Sequence, residues 1–157
     1  MTQSIPLYFP MKVIVTSSIE TPYISGARKS LRLEQAEQLQ KTLPPEQRAF
    51  GEAFCGLLRT VEPVQIDRRL CGDDLLPFCG GCQVIATPGH TPGHISLYLP
   101  GFDTVISGDA MALENGKPII ANPQFTLDME EAIASMERLL SFPAKRMICY
   151  HGGVLDL

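Results

Sequence analysis

The feature that most constrains this 157-residue sequence is a doubled turn motif, Thr87-Pro-Gly-His-Thr-Pro-Gly-His94. A short apolar run from Gln83 to Ala86 precedes the motif, and a second run, Ile95 to Leu99, follows it directly. Apolar runs of this length bounded by proline and glycine predict two strands joined by a tight loop. Proline fixes φ and glycine accepts backbone angles closed to other residues, so the loop should hold His90 and His94 in a defined position at a strand end.

Length and composition predict one globular domain spanning residues 1–157. Apolar residues make up 45% of the chain and charged residues 19%, which is unlike a disordered sequence. The formal charge of −4 argues against a phosphate-binding surface, so we expect no nucleic-acid partner. No apolar stretch reaches the roughly 18–20 residues that a membrane span needs, so we expect no membrane partner.

The cysteine content suits a reducing compartment. Five cysteines is an odd number, and the N-terminal residues lack the charged and apolar regions of a signal peptide. We therefore expect a cytoplasmic protein. Cys79-Gly-Gly-Cys82 has a spacing found in redox pairs and in half of a zinc clip, but Cys82 leads into a strand and no fourth ligand is evident. We therefore favour the interpretation that these cysteines are small structural residues, either buried or located in a turn.

The hydrophobic pattern predicts an α/β fold with a mixed β-sheet and helices on one face. The predicted helices are Leu33–Leu43, Phe50–Leu58 and Met129–Leu140, with a short helical turn between Ser17 and Gly26. The predicted strands, besides the two around the motif, are Lys12–Thr16, Val64–Leu70, Thr104–Ser107 and Arg146–Tyr150. Met111 to Gln124 contains glycine, asparagine and two prolines and is predicted to be an irregular loop.

Three chemically suited residues each follow the end of a predicted strand. His90, Asp109 and His151 are all flanked by glycine, and ligand sites of open α/β sheets gather at strand carboxyl ends. Imidazole together with carboxylate suits zinc or iron, and a carboxylate can bridge two ions. A hydrogen-bonded structural role is an equally good interpretation of any one of these residues, and the spacing alone does not establish a metal site.

Three motifs resemble those of the metallo-β-lactamase-fold hydrolases. They are Thr87-Pro-Gly-His-Thr-Pro-Gly-His94, Ser107-Gly-Asp109 and Cys149-Tyr-His-Gly-Gly153, in the family's order and with similar separations. The resemblance implies that His90 binds one metal, that Asp109 bridges two and that His151 binds the second. His94 matches a supporting position. It also implies a zinc enzyme, with iron or manganese as alternatives, that hydrolyses a small lactone, thioester or β-lactam.

The sequence departs from the family at one decisive point. The family's His-x-His-x-Asp-His motif is absent, because no histidine precedes His90. We therefore expect this chain to correspond to the C-terminal half of such an enzyme, that is, half of a four-layer αββα sandwich with an incomplete metal site. The general base of the family lies in the absent motif, so no catalytic residue is assigned. The alternative is a catalytically inactive truncated domain that acts as an oligomerising or interaction module.

The strands also predict a partner. Val13–Val15, Val84–Ala86, Val105–Ile106 and Met147–Cys149 are apolar at consecutive positions, and neighbouring side chains of a strand point to opposite faces. Such strands are typical of a sheet whose two faces are both covered by other parts of the protein. With helices on one face only, we expect the other face to be buried against a second copy in a homodimer, or against a complementing N-terminal half.

Overall fold

The computed structural model describes residues 13–157 and has an α/β architecture around a six-stranded mixed sheet. The strands are β1 (Val15–Ser17), β2 (Arg68–Leu70), β3 (Leu75–Leu76), β4 (Cys82–Ala86), β5 (Ile95–Leu99), β6 (Thr104–Gly108), β7 (Ala112–Glu114), β8 (Lys117–Ile119), β9 (Arg146–Cys149) and β10 (Gly153–Asp156). The helices are α1 (Thr21–Ile24), α2 (Leu31–Thr42), α3 (Arg48–Arg59) and α4 (Met129–Leu140). The predicted fold class, α/β with a mixed sheet, is confirmed.

The order of the strands places three strand ends on one edge of the sheet. The order is β10-β9-β6-β5-β4-β3, in which β6 and β9 are parallel and every other neighbouring pair is antiparallel. Since β4 and β6 are both antiparallel to β5, strands β4, β6 and β9 all run in the same direction. Their carboxyl ends, and the loops that follow them, therefore lie at the same edge.

Helix α4 covers one face of this sheet. Its Leu139 is fully buried against Ile85, Val105 and Met147 of three different strands. The helix begins where predicted, because the Asp128 side chain accepts a hydrogen bond of 3.0 Å from the backbone N–H of Glu131. Burying a leucine of this kind contributes about 1.5–3 kcal/mol to stability, so the contact between α4 and the sheet is a main source of stability for the edge where the strand ends meet.

The opposite face carries a row of apolar side chains that is only partly covered. Leu97, Ile106, Ile148 and Val154 lie directly opposite one another on four neighbouring strands, so their side chains share a face. We call this row the open face. Its β5 end packs against the buried Leu70 of β2, whereas Ile106, Ile148 and Val154 are 37%, 38% and 54% exposed. Three branched apolar side chains in register are therefore accessible to a partner.

Helices α2 and α3 form an antiparallel pair beside the sheet, close to the predicted bounds. Ser30 caps α2 by accepting a 3.4 Å hydrogen bond from the Leu33 N–H, and Pro44 follows its end. Phe54 of α3 stacks on Phe125, which lies in a short 3₁₀ turn before α4. Neither α2 nor α3 contributes a residue to the core clusters of the described sheet, so the cover that was predicted from all three helices comes from α4.

The segment predicted as an irregular loop, Met111–Gln124, is partly regular. Strands β7 and β8 pair as an antiparallel hairpin through Asn115 and Gly116, which both have positive φ. Asn-Gly is the characteristic pair of a tight hairpin turn. In the prediction from the sequence, the two prolines of this segment were given more weight than this pair. The loop prediction was wrong there, since Pro118 lies within β8 and the hairpin tolerates it.

Strand predictions differ from the structure at several other places. Strand β2 holds only the last three residues of the predicted Val64–Leu70, and β1 begins at Val15, while Lys12 lies outside the described residues. Strands β3 and β10 were not predicted. Strand β10 begins at the second of two consecutive glycines, Gly152 and Gly153, and pairs antiparallel with β9.

The cysteines are free in the described part of the chain. Cys79 and Cys71 are exposed, whereas Cys82, Cys149 and Cys55 are buried. Burial raises the pKa of the Cys82 and Cys149 thiols, which keeps them protonated. Between residues 13 and 157, no helix has the length and apolar character required to cross a bilayer.

Candidate metal centre

His90, Asp109 and His151 meet at the edge where β4, β6 and β9 end. His90 Nε2 lies 3.7 Å from Asp109 Oδ2, and His151 Nε2 lies 3.4 Å from Asp109 Oδ1. The two imidazoles thus approach the two oxygens of one carboxylate from different strands. His90 is buried, the Asp109 side chain is 28% exposed and that of His151 is 50% exposed, so the cluster opens to solvent on the side of His151.

The loop that carries His90 is fixed by α4. Ser135 donates a 2.7 Å hydrogen bond to the Pro88 carbonyl, and the Asp128 N–H donates one of 2.9 Å to the Gly89 carbonyl. Gly89 has a φ of +129°, and a Cβ at this position would collide with the backbone of Ala132. The glycine of the motif therefore allows the close approach of the helix that places His90.

His94 is the centre of a hydrogen-bonded chain. The backbone N–H of Asp109 donates to His94 Nε2 at 3.0 Å, so this nitrogen carries the lone pair and the neutral ring has its proton on Nδ1. That N–H donates to Thr87 Oγ1 at 2.8 Å. The Thr87 hydroxyl in turn donates to Ser96 Oγ at 2.9 Å, and Ser96 donates to the Ser107 carbonyl at 2.9 Å. Every donor in this chain has an acceptor.

We call this series, from Asp109 through His94, Thr87 and Ser96 to Ser107, the His94 relay. It ties the end of β6 to the loop between β4 and β5, and so fixes the backbone from which Asp109 projects. Gly108 belongs to the same arrangement, because its φ is +57° and a Cβ there would lie 2.7 Å from His94 Nε2. His94 thus has the supporting position that the sequence resemblance implied, and its two ring nitrogens are both engaged within the protein.

Burial controls the charge of both histidines in the doubled motif. Desolvation lowers the pKa of His94, and the neighbouring His90 lowers it further. Desolvation also lowers the pKa of His90, an effect that Asp109 partly opposes and Arg32 reinforces. Both rings are therefore neutral at pH 7, and a neutral imidazole is the form that binds a metal.

Arg32 of α2 is an unanticipated member of the site. Its Nη2 lies 3.0 Å from His90 Nε2, and since a guanidinium only donates, His90 Nε2 must accept. Its Nη1 donates to the Phe125 carbonyl at 2.8 Å and to the Gln35 side chain, and its guanidinium carbon lies 4.8 Å from the centre of the Phe125 ring. No motif marks Arg32 in the sequence, because its partner is 58 residues away.

Two buried polar atoms of the cluster are left without a regular hydrogen bond in the described structure. They are His90 Nδ1 and Asp109 Oδ1. The Ala121 carbonyl is close enough to His90 to raise its pKa, but it does not complete a hydrogen bond of ordinary geometry. Asp109 Oδ1 lies 3.4 Å from His151 Nε2. A carboxylate that lies between two imidazoles and has one oxygen without a hydrogen-bond donor is chemically suited to a cation.

The residues present do not by themselves fit a catalytic metal. A catalytic zinc is held by three protein ligands and keeps an open position for water. Among residues 13–157, no three His, Cys, Asp or Glu side chains are arranged to hold one ion together. The cluster offers two imidazoles and one shared carboxylate, and Arg32 already engages the lone pair of His90 Nε2. The donor chemistry is right for a metal, but the ligand number is too low.

Comparisons with known proteins agree with the sequence motifs. The model of the metallo-beta-lactamase superfamily matches residues 18–151. The "Probable metallo-hydrolase YflN" of Bacillus subtilis is 33% identical over 155 residues, which cover 86% of this chain and 53% of YflN. A hydroxyacylglutathione hydrolase of Hyphomonas neptunium is 36% identical over 89 residues, covering 55% of this chain and 32% of that enzyme. The chain thus spans about half or less of the length of these relatives.

Solved structures show the same fold. An archaeal metallo-beta-lactamase superfamily protein from Sulfolobus tokodaii superposes with a TM-score of 0.62 at 19% identity, covering 92% of this chain and 53% of that protein. The structure of TTHA1623 in a di-iron-bound form gives a TM-score of 0.58 at 28% identity, covering 92% of this chain and 59% of that one. The six-stranded sheet and its helices therefore correspond to about half of a larger fold.

Proposed function

Because the chain belongs to the metallo-beta-lactamase superfamily, we propose that it provides part of the active site of a metal-dependent hydrolase acting on an ester, thioester or lactone. The observation that carries this proposal is the approach of His90 and His151 to the two oxygens of the Asp109 carboxylate. The likeness to hydroxyacylglutathione hydrolases favours a thioester among these substrates.

In this proposal His90, Asp109 and His151 are metal ligands, and zinc is the metal, with iron or manganese as alternatives. Nitrogen and carboxylate donors suit all three, and a di-iron form is found in one protein of similar structure. Since the described residues supply too few ligands, the remaining ligands come from polypeptide other than residues 13–157. The coverage of about half of each relative agrees with this requirement.

The remaining residues of the cluster orient these ligands. The His94 relay holds the Asp109 backbone through a 3.0 Å hydrogen bond, and α4 fixes the loop of His90 through Ser135 and Gly89. Residues that fix ligand orientation in this way strongly affect metal affinity in other metalloproteins, typically by 10–100-fold. This chain therefore supplies a rigid and preorganised part of the proposed site.

A second candidate function is that of an oligomerising or interaction module without catalysis. The observation that favours it is the open face, where Ile106, Ile148 and Val154 are exposed in register. Burial of this face against a second copy, or against a complementing half, removes apolar surface from water. The same face serves the hydrolase proposal if the polypeptide that covers it also supplies the absent ligands.

A zinc-binding and thioesterase experiment separates these functions. We expect the chain alone to bind Zn²⁺ weakly and to show almost no turnover of a hydroxyacylglutathione thioester. Asp109→Asn should abolish the zinc binding, whereas the matched control Asp103→Asn, at a left-handed position paired with Lys145, should not. Zinc binding that is insensitive to Asp109→Asn would overturn the proposed ligand set.

Turnover decides the rest of the proposal. A typical enzyme reaches a kcat of ~10 s⁻¹, and a site with too few ligands should fall several orders of magnitude below this value. Activity within tenfold of ~10 s⁻¹ that is lost in Asp109→Asn would show that residues of this chain complete the site. Fusing the N-terminal half of YflN to the chain should restore both zinc binding and turnover, and a folded fusion with neither would count against a hydrolase function.

A further inference from the structure

We infer that Cys79 and Cys82 form a thiol–disulfide exchange site, at which a low-molecular-weight disulfide oxidises the pair to an internal disulfide. The inference is independent of the candidate metal centre and of the proposed hydrolysis. It concerns the connection between β3 and β4, residues 77–81, which we call the Cys79 turn.

The Cys79 turn folds back tightly and ends at the second cysteine. Cys82 begins β4 and lies opposite Leu76 of β3. The backbone N–H of Gly81 donates a 3.0 Å hydrogen bond to the Phe78 carbonyl. The two residues between the cysteines, Gly80 and Gly81, have φ values of +77° and +105°, which glycine adopts without strain. The turn therefore brings together two cysteines at the C-x-x-C spacing typical of redox pairs.

The two thiols differ in their accessibility. Cys79 is exposed, whereas Cys82 is 1% exposed and packs with Leu70, Leu76 and Val84. The space around the turn is open in the described part of the chain, because a Cβ at either glycine would meet no atom beyond its own chain neighbours within 4 Å. A small disulfide can therefore approach the sulfur of Cys79 but not that of Cys82.

This difference assigns the two cysteines separate steps. The Cys79 thiolate attacks one sulfur of the reagent, so that a mixed disulfide forms and half of the reagent leaves as a thiolate. Cys82 then loses its proton to water and attacks the Cys79 sulfur, which releases the second half as a thiolate. Two protein thiols are oxidised, one reagent disulfide is reduced to two thiols, and the two protons lost by the cysteines are regained by the released thiolates.

Electrostatics favours the same order. Burial raises the pKa of the Cys82 thiol, and the neighbouring Cys79 raises it further. Cys82 is therefore protonated while Cys79 is reduced. Once its sulfur is part of a mixed disulfide, Cys79 can no longer carry a negative charge, and its contribution to the raised pKa disappears. The second thiol thus becomes easier to ionise only after the first has reacted.

The sequence alone favoured structural cysteines for a reason that the structure qualifies. Redox pairs are often activated at a helix N-terminus, whereas Cys82 begins a strand. The spacing does not reveal that one thiol is exposed on an open turn and the other buried beside it. Access to Cys79, and not activation by a helix, is what favours exchange at this pair.

The test is incubation of the reduced chain with oxidised glutathione in the presence of a metal chelator. It is performed on Cys71→Ser, since Cys71 is the other exposed cysteine and would add a mixed disulfide of its own. Intact-mass spectrometry and counting of free thiols in denaturant follow the reaction. We expect the loss of two thiols and two hydrogens, with no glutathione retained, and dithiothreitol should restore both thiols.

Two further substitutions in the Cys71→Ser background separate the steps. Cys82→Ala should retain one glutathionyl group on Cys79, because no thiol is left to displace it. Cys79→Ser is the matched control and should react at least about tenfold more slowly, since its remaining thiol in the pair, Cys82, is buried. Thermal unfolding of each reduced variant verifies that it is folded.

Peptide mapping keeps the test decisive if Cys82→Ala fails to fold. Chymotryptic cleavage after Phe78 and Tyr98 releases one peptide that contains both cysteines, so the disulfide can be located in the oxidised chain itself. A persistent glutathione adduct on Cys79 without an internal disulfide would overturn the inference. Thiols that remain unreacted, or an internal disulfide that still forms after Cys79→Ser, would overturn it as well.

Discussion

Replacing Thr87 with valine removes one hydroxyl from the middle of the His94 relay and changes the side-chain volume little. Thr87 is fully buried, accepts from His94 Nδ1 at 2.8 Å and donates to Ser96 Oγ at 2.9 Å. The substitution leaves the His94 N–H without an acceptor, which costs about 1–3 kcal/mol when the group is buried. Loss of the second hydrogen bond adds about 0.5–1 kcal/mol. We expect the free energy of unfolding to fall by about 1.5–4 kcal/mol.

Urea denaturation followed by far-ultraviolet circular dichroism measures this change, with the slope against urea as a test that the transition is unaltered. Thr42→Val is the matched control, because the Thr42 hydroxyl is exposed and donates to the Leu39 carbonyl within α2. It should change the free energy by no more than about 0.5 kcal/mol. Combining Thr87→Val with His94→Phe should cost less than the sum of the two single changes, since both break the same hydrogen bond.

A Thr87→Val protein as stable as the Thr42→Val control would refute this reasoning. It would mean that His94 does not donate to Thr87 and that the tautomer derived from the Asp109 N–H is wrong. Exact additivity of Thr87→Val and His94→Phe would lead to the same conclusion, because uncoupled residues do not share a hydrogen bond.

Three further predictions concern pH, the loop and association. Because burial lowers the pKa of His90 and His94 in the folded state, the unfolded chain binds more protons than the folded chain below about pH 6.5. The free energy of unfolding should therefore be constant above about pH 7 and decrease as the pH falls toward the lowered pKa values. Urea midpoints at about pH 7.5 and about pH 5.5 measure this change, and a His94→Gln variant with an unchanged dependence of stability on pH would contradict the contribution of His94. Gly89→Ala should prevent stable folding, since its Cβ would collide with the α4 backbone, and a wild-type melting temperature would contradict the close approach of the helix. Light scattering at micromolar concentration should show a dimer or larger species that Ile106→Ser with Ile148→Ser dissociates, whereas a wild-type monomer would show that the open face needs no cover.

The sequence was sufficient to predict those elements whose patterns are formed by residues close together in the chain. Helix α4 formed where a capping aspartate and an apolar stripe predicted it, and the proline and glycine residues of the doubled motif located the loop of His90. The positions of Asp109 and His151 after strand ends followed from short apolar runs, and parallel strands brought those ends to one edge. The ligand role of these residues stays a proposal, because chemistry at a strand end does not reveal whether a metal binds there.

Features that depend on contacts between residues far apart in the sequence were revealed by the tertiary structure alone. The Arg32 contact with His90 joins residues 58 positions apart, and the His94 relay joins β5 and β6 to the loop between β4 and β5, in a register that no local pattern specifies. Strand β10, which was not predicted, pairs antiparallel with β9. The open face likewise follows from register, which aligned Leu97, Ile106, Ile148 and Val154. Local propensity indicates which stretches form helices and strands, but only packing fixes which side chains meet, because the free energy of those contacts is gained only when distant segments come together.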